Sequence, residues 1–133
     1  MAHGSRRHSL NVRHLTLAVA TTAALVLPAT PGHAADTIEI PAGQTSCPDG
    51  YVCLFRDYDF QGGGYGVRSG DSLPWLGDLG FNDQMSSWAN DSGRTYCWYS
   101  DASFAGERHV MQNGYRVNVL PRENDTASSL APC

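Results

Sequence analysis

A polar hexamer that occurs twice constrains this chain more than any other feature of its sequence. Residues 82–87 read NDQMSS and residues 124–129 read NDTASS, so four of six positions are identical at a distance of 42 residues. Asparagine, aspartate and serine favour turns, and their short side chains place oxygen atoms close to the backbone. One such hexamer is an ordinary loop, but two copies predict a duplicated supersecondary unit.

The residues before each hexamer repeat as well. Five positions recur 44 residues later: Cys53 and Cys97, Phe55 and Tyr99, Asp57 and Asp101, Phe60 and Phe104, Gly62 and Gly106. No segment shows sustained helical periodicity, and short β-type runs lie at 51–55, 60–67, 96–99, 104–111 and 115–120. Short strands at intervals near ten residues predict an all-β antiparallel sandwich.

The N-terminal stretch is typical of a secretory signal peptide. Arg6, Arg7 and Arg13 precede an apolar run at 15–27, and a small-x-small cleavage site follows at 32–34. Export by the general or by the twin-arginine route stays open. The predicted organisation is a signal peptide at 1–34, a lead-in segment at 35–46 and one domain at 47–133, with repeats at about 47–90 and 94–133.

Removal of the signal peptide makes the chain strongly acidic. The mature chain keeps six arginines, no lysine and all 13 acidic residues, which gives a formal net charge of −7. This charge argues against partners that are polyanions, because nucleic acids and anionic membranes bind proteins through cationic side chains. We expect a secreted, extracellular monomer that binds neither nucleic acid nor membrane.

Four cysteines remain in the mature chain, which suits a small domain in an oxidising compartment. Three pairings are possible. We favour Cys47–Cys53, which closes a short loop, together with Cys97–Cys133, which ties the last residue back to a strand. The second closes the longer loop and is expected to contribute about 3–5 kcal/mol.

An aromatic residue, four others, then Phe-x-Gly, followed by Asn-Asp-x-x-Ser-Ser, resembles the βγ-crystallin signature. Both halves carry it, at 55–62 with 82–87 and at 99–106 with 124–129. The resemblance covers residues 47–133 and implies a sandwich of two intertwined Greek-key motifs. The opening CPDGYVC at 47–53 further resembles secreted actinobacterial metalloproteinase inhibitors of βγ-crystallin type.

The βγ-crystallin resemblance implies two calcium sites shared between the hexamers, because calcium takes six to eight oxygen ligands from carboxylates, hydroxyls and carbonyls. The implied ligands are the carboxylates of Asp83 and Asp125, the carbonyls of Gln84 and Thr126, the hydroxyls of Ser86 and Ser128, and hairpin carbonyls near Arg56 and Ser100. Each hydroxyl would cross over to the site that the other hexamer anchors. Asn82 and Asn124 would hold the turns, and Ser87 and Ser129 would bond within the loops.

Nothing in the mature sequence indicates catalysis. Its one histidine, His109, lies beside no nucleophile motif and is expected at the surface. At least two of the three tryptophans are expected in the core or in an interface. Acidic residues such as Asp57 and Asp59 are expected to be solvated turn residues rather than a carboxylate pair of a glycosidase.

Three functions fit these observations. The favoured one is a calcium-binding inhibitor of a secreted protease. The alternatives are a calcium-stabilised envelope or stress protein without a protease target, and a secreted antimicrobial toxin. The best-known inhibitors of this type carry their reactive loop in a second short Cys-to-Cys loop, whereas Cys97 has no near neighbour here. Inhibitory residues therefore do not transfer to this chain.

Overall fold

The computed structural model of this chain describes residues 18, 20, 22–26 and 34–133. By its contacts the chain divides into Met1–Pro31 and Gly32–Cys133. The predicted signal peptide lies mostly outside the described residues and stays a prediction. Among the residues that are described, no helix is long and apolar enough to cross a membrane.

Within residues 34–133, eight short strands form two antiparallel sheets, which confirms the predicted all-β fold. In chain order the strands are β1 Thr37–Ile40, β2 Tyr51–Phe55, β3 Gly64–Arg68, β4 Ser87–Asn90, β5 Tyr96–Tyr99, β6 Arg108–Met111, β7 Arg116–Asn118 and β8 Ser129–Pro132. The first sheet has the order β1-β3-β2-β4-β7, and the second has the order β6-β5-β8. Short 3-10 helices occur at Tyr58–Phe60, Leu76–Leu79 and Ala102–Phe104.

The two halves of the domain exchange strands. β7 comes from the second half but pairs with β4 of the first half. In return, Leu73 of the first half forms a bridge with Leu130 of β8. Each sheet therefore contains backbone from both repeats, and this exchange is the intertwining that the sequence resemblance implies.

The core lies between the two sheets and follows the two-residue alternation of the strands. In β2, Val52 and Leu54 belong to the main core, which also contains Trp98 and Leu130. Cys53 and Phe55 point to the opposite face, where they belong to a smaller buried cluster with Ile40, Cys47 and Ala89. Both faces of β2 are thus covered, which explains why this strand is a continuous apolar run.

The structure contains the favoured disulfides, Cys47–Cys53 and Cys97–Cys133. The lead-in segment contributes β1, which lies at the edge of the first sheet beside β3. Two predicted strands begin later than expected, because Phe60 and Phe104 lie in 3-10 turns with φ near +60° rather than in extended backbone. β3 and β6 start four residues after these two aromatic residues.

Candidate metal centre

The two hexamers lie side by side and bond to each other reciprocally. Asp83 N donates to the carbonyl of Ala127 at 3.0 Å, and Asp125 N donates to the carbonyl of Met85 at 3.1 Å. Both donors and both acceptors occupy the same positions of their hexamers. The duplication in sequence is therefore an approximate twofold relationship in space, and the two aspartates occupy equivalent positions in it.

The last serine of each hexamer fastens a hairpin rather than its own loop. Ser87 Oγ donates to the carbonyl of Asp57 at 2.6 Å and accepts from Phe60 N at 3.0 Å. Ser129 Oγ makes the equivalent bonds to Asp101 at 2.6 Å and Phe104 at 3.0 Å. The prediction that these serines bond within their own loops was wrong, because their side chains point from the strand start toward the folded hairpin.

The hairpin glycines have a steric reason to be conserved between the two halves of this chain. Gly62 and Gly106 both have φ near +80°, a conformation that favours glycine. A Cβ atom at Gly62 would overlap the Asp57 carboxylate, and one at Gly106 would overlap Ser100 Oγ and Asp101. The aspartate and the glycine therefore pack against each other in each hairpin.

Five of the eight predicted ligands line a single cleft of about 450 Å³. The hairpin contributes Arg56, the first hexamer contributes Asp83, Gln84 and Ser86, and the second hexamer contributes Asp125. Ser86 is buried, and its backbone N–H donates to the carbonyl of Phe55 at 2.9 Å. The cleft thus brings the hydroxyl of one hexamer and the carboxylate of the other to the same cavity wall.

The remaining predicted ligands do not line this cleft. Ser128 Oγ lies 3.5 Å from Asp83 Oδ1, at the outer limit of a hydrogen bond. Ser128 N donates to the carbonyl of Tyr99 at 2.8 Å, which places this serine beside the hairpin that contains Ser100. Thr126 Oγ1 donates to the carbonyl of Glu123 at 2.7 Å. The position of Ser128 beside Asp83 and the second hairpin therefore matches the position of Ser86 in the cleft with Asp125 and the first hairpin.

The first asparagine of each hexamer carries an unsatisfied oxygen. Asn82 Oδ1 and Asn124 Oδ1 are both buried and have no hydrogen-bond partner. Asn82 and Asn124 were expected to hold the turns. Their amide oxygens form no hydrogen bond that would do so. Burying a polar atom without a partner costs free energy, and the same unpaired oxygen occurs at the first position of both hexamers.

Three further residues line the cleft that were not among the predicted ligands, namely Asp57, Tyr58 and Asn124. The correspondence of Asp57 with Asp101 in the two repeats is the sequence signal that points to a role for Asp57 in the hairpin. The Arg56 side chain also packs on aromatic rings. Its guanidinium lies 5.2 Å from the ring centre of Phe81 and 5.7 Å from that of Tyr65. Its Nε also donates to Gln84 Oε1 at 3.3 Å.

His109 is not the free surface residue that we expected. Its imidazole stacks on the buried Trp98 with ring centres 3.8 Å apart, and only 21% of its side chain is exposed. Glu123 lies 3.3 Å from Nδ1 and Glu107 lies 3.6 Å from Nε2. His109 therefore packs at the edge of the core. Its neighbours Trp98, Glu107 and Glu123 include no serine, cysteine or threonine that could act as a nucleophile.

The tryptophans divide as expected. Trp88 and Trp98 are buried in the core, and Trp75 is exposed. Within residues 34–133 and the few described residues before them, no group of three or more His, Cys, Asp and Glu side chains is placed to hold a metal ion. Any cation at the hexamers must therefore take most of its ligands from hydroxyl, amide and backbone oxygens.

Comparison with known proteins identifies both the fold and the family. Eighteen solved chains match the structure. One, described as "Evolution of the eye lens beta-gamma-crystallin domain fold", has a TM-score of 0.61 at 23% identity and covers 74% of this chain and 97% of its own. A βγ-crystallin from Ciona intestinalis has a TM-score of 0.53 at 26% identity, over 63% of this chain and 100% of its own.

A βγ-crystallin from an archaeon is similar at a TM-score of 0.52 and 21% identity, over 65% of this chain and 100% of its own. No curated protein matches this sequence. The model of one sequence family, peptidase inhibitor family I36, matches residues 41–111, which is more than half of the 133 residues. This βγ-crystallin-type chain belongs to peptidase inhibitor family I36.

Proposed function

We propose that this chain is a secreted, calcium-stabilised inhibitor of metallopeptidases. The observation that carries the inhibitory function is the family match over residues 41–111. Membership in an inhibitor family also favours a protein without catalytic activity. The two disulfides fit an extracellular location, because such bonds persist in oxidising compartments.

Calcium fits the residues at the hexamers. One set offers the Asp125 carboxylate, the Ser86 hydroxyl and the backbone of Arg56 around the cleft, and Asp83 with Ser128 begins the other. These are hard oxygen donors of the kind that calcium prefers, and the unsatisfied oxygens of Asn82 and Asn124 add unbalanced negative potential nearby.

Bound calcium would supply positive charge between loops that otherwise hold carboxylates close together. Asp83 and Asp125 each have a positive φ, 55° and 57°, so the backbone already adopts the conformation that presents their side chains. This conformation is costly for a residue with a Cβ atom, although aspartate tolerates it better than most. The ion would therefore stabilise the folded loops and have no part in chemistry.

The inhibitory function is tested by titrating the purified mature chain into thermolysin, a zinc endopeptidase, at micromolar inhibitor with calcium present. We expect stoichiometric, saturable inhibition that persists after prolonged incubation. If thermolysin and a panel of other zinc endopeptidases keep full activity, the proposed inhibitory function is wrong.

Calcium binding is tested separately by thermal unfolding. With a dissociation constant of ~10⁻⁵ to 10⁻³ M, about 10 mM calcium should raise the melting temperature by several degrees relative to chelator, because a ligand that binds only the folded state stabilises it. Equal magnesium is the control and should have a smaller effect, since magnesium dehydrates reluctantly. Superimposable curves in calcium and chelator would exclude the proposed sites.

A further inference from the structure

The segment from Leu73 to Leu76 breaks the internal symmetry of the domain. Leu73 forms an antiparallel bridge with Leu130 of β8. In the second half, Val117 of β7 pairs with Trp88 of β4. Leu130 and Trp88 occupy the same position relative to their hexamers, so Leu73 corresponds to Val117.

The other end of the segment is matched by a backbone hydrogen bond. Leu76 N donates to the carbonyl of Ser128 at 2.8 Å, and Val119 N donates to the carbonyl of Ser86 at 3.1 Å. Leu76 therefore corresponds to Val119. Three residue steps separate the two matched points in the first half and two steps separate them in the second, so the first half carries one additional residue.

The additional length is presented to solvent. Pro74 and Trp75 are exposed, whereas Leu73 and Leu76 on either side of them are buried. Trp75 keeps 40% of its surface exposed and has an extended backbone, with φ −148° and ψ 108°. The result is an exposed dipeptide, with extended backbone at Trp75, between two buried anchors.

Hydrogen bonds hold the backbone of the Pro74–Trp75 dipeptide in place. Leu73 N donates to the carbonyl of Leu130 at 2.8 Å, and Leu130 N donates back at 2.9 Å. On the other side, Ser103 N donates to the carbonyl of Pro74 at 2.8 Å. The proline ring restricts φ at its own position, so little backbone freedom remains for a partner to remove.

The indole ring is also held in place. A Cβ atom built at Gly77 would overlap the ring atoms of Trp75, which shows that the ring lies directly over this glycine. The φ of Gly77 is not in the left-handed region, so its missing side chain matters here for space rather than for backbone conformation. The ring lies against Gly77 of the 3-10 helix Leu76–Leu79, and the residue stays 40% exposed.

We propose that Pro74–Trp75 is the segment that enters the cleft of the target peptidase, with Trp75 filling an apolar side-chain subsite. This inference rests on the proposed inhibitory function, and the segment lies inside the family match at residues 41–111. A peptidase cleft takes up an extended chain, and tryptophan is enriched among the residues that dominate binding energy. An extended, pre-ordered segment binds with little loss of conformational entropy.

The decisive experiment compares inhibition constants of wild type, Trp75→Ala and Tyr115→Ala against thermolysin, a zinc endopeptidase that prefers apolar residues. Trypsin, which prefers basic residues, is the control for specificity. Wild type should inhibit thermolysin and leave trypsin active. Trp75→Ala should raise the inhibition constant about 30-fold or more. Tyr115→Ala removes another exposed aromatic side chain, 55% exposed, and should change the constant less than about twofold.

Gly77→Ala tests the pre-ordering of the ring, because it keeps the indole but displaces it from its resting place. We expect an intermediate rise in the inhibition constant, mainly through faster dissociation, and a normal melting temperature would show that the fold is intact. If Trp75→Ala is folded and inhibits within threefold of wild type, the assignment of this segment is wrong although the inhibitory function stands. If wild type inhibits neither thermolysin nor any other zinc endopeptidase of the panel, both proposals fall.

Discussion

Ser128 Oγ approaches to within 3.5 Å of Asp83 Oδ1, so a hydroxyl of the second hexamer lies beside the carboxylate of the first. This contact spans 45 residues of sequence and exists because the strands of the two halves are exchanged. It indicates that the two hexamers act as crossed partners, in which each aspartate works with the serine of the other copy.

The crossed pairing predicts which double variants behave non-additively. Asp83→Asn and Ser128→Ala should each reduce the rise in melting temperature produced by calcium, and the double variant should lose little more than either single one. Asp83→Asn with Ser86→Ala should lose close to the sum of both effects, because these residues serve different sites. The measurement is the melting temperature in calcium and in chelator for all variants.

Asp49→Asn is the control for charge removal, since Asp49 is exposed and distant in sequence from both hexamers. Its response to calcium should equal that of wild type. Additive losses in Asp83→Asn/Ser128→Ala, combined with coupling between Asp83 and Ser86, would show that each hexamer binds calcium by itself.

The hairpin glycines allow steric overlap to be separated from backbone strain. Gly62→Ala should destabilise the domain by about 2–4 kcal/mol, because the new Cβ atom meets the Asp57 carboxylate in addition to adopting a positive φ. Gly93→Ala is the matched control, with a similar φ of +85° but no atom near the built Cβ. It should cost about 1 kcal/mol, measured by urea unfolding. Equal costs would mean that strain alone sets the requirement.

Local sequence patterns predicted much of this domain and missed the parts that depend on long-range pairing. β2 and β5 begin and end where their apolar runs do, and both disulfides were favoured before the fold was known. β8 was missed because Ser129, its first residue, belongs to a polar hexamer that indicates a turn. Its extended conformation comes from pairing with β5, which no local pattern records.

The candidate site divides in the same way. Asp83, Ser86 and Asp125 were found because hexamer residues repeat in sequence, and the cleft does bring them together. The role proposed for Trp75 had no such signal, since its segment has no recognisable motif and carries one inserted residue relative to residues 117–119 of the second half. That insertion becomes visible only when the hydrogen bonds of the two halves are superimposed.

The two disulfides should contribute unequally to stability. Cys97–Cys133 joins residues 36 apart, and Cys47–Cys53 joins residues 6 apart. Loop-closure entropy in the unfolded chain predicts a loss of about 4 kcal/mol for the double variant Cys97→Ala/Cys133→Ala and about 2 kcal/mol for Cys47→Ala/Cys53→Ala. Urea unfolding of both variants under identical conditions measures the difference. A larger loss from the short loop would contradict the entropic origin of the stabilisation.

The buried hydroxyl of Tyr96 should give the domain an alkaline limit. Tyr96 is completely buried, and its hydroxyl accepts from Gly70 N at 2.9 Å and donates to the carbonyl of Asp71 at 2.8 Å. Burial is the main cause that raises the pKa of Tyr96 above its usual value of 10.0. The unfolded chain therefore loses this proton at a lower pH than the folded chain does.

The stability that neutral Tyr96 contributes is fully present below pH 10 and is lost as the pH rises toward its raised pKa in the folded state. Tyr96→Phe should lower the unfolding free energy at neutral pH by about 1–3 kcal/mol, since Gly70 N–H loses its partner. The difference in unfolding free energy between wild type and Tyr96→Phe should then narrow above pH 10, as measured by urea unfolding at a series of pH values.

Tyr115→Phe, at an exposed position, is the control. It should change the unfolding free energy at neutral pH by less than about 0.5 kcal/mol. A gap that stays constant to high pH would show that Tyr96 does not set the alkaline limit.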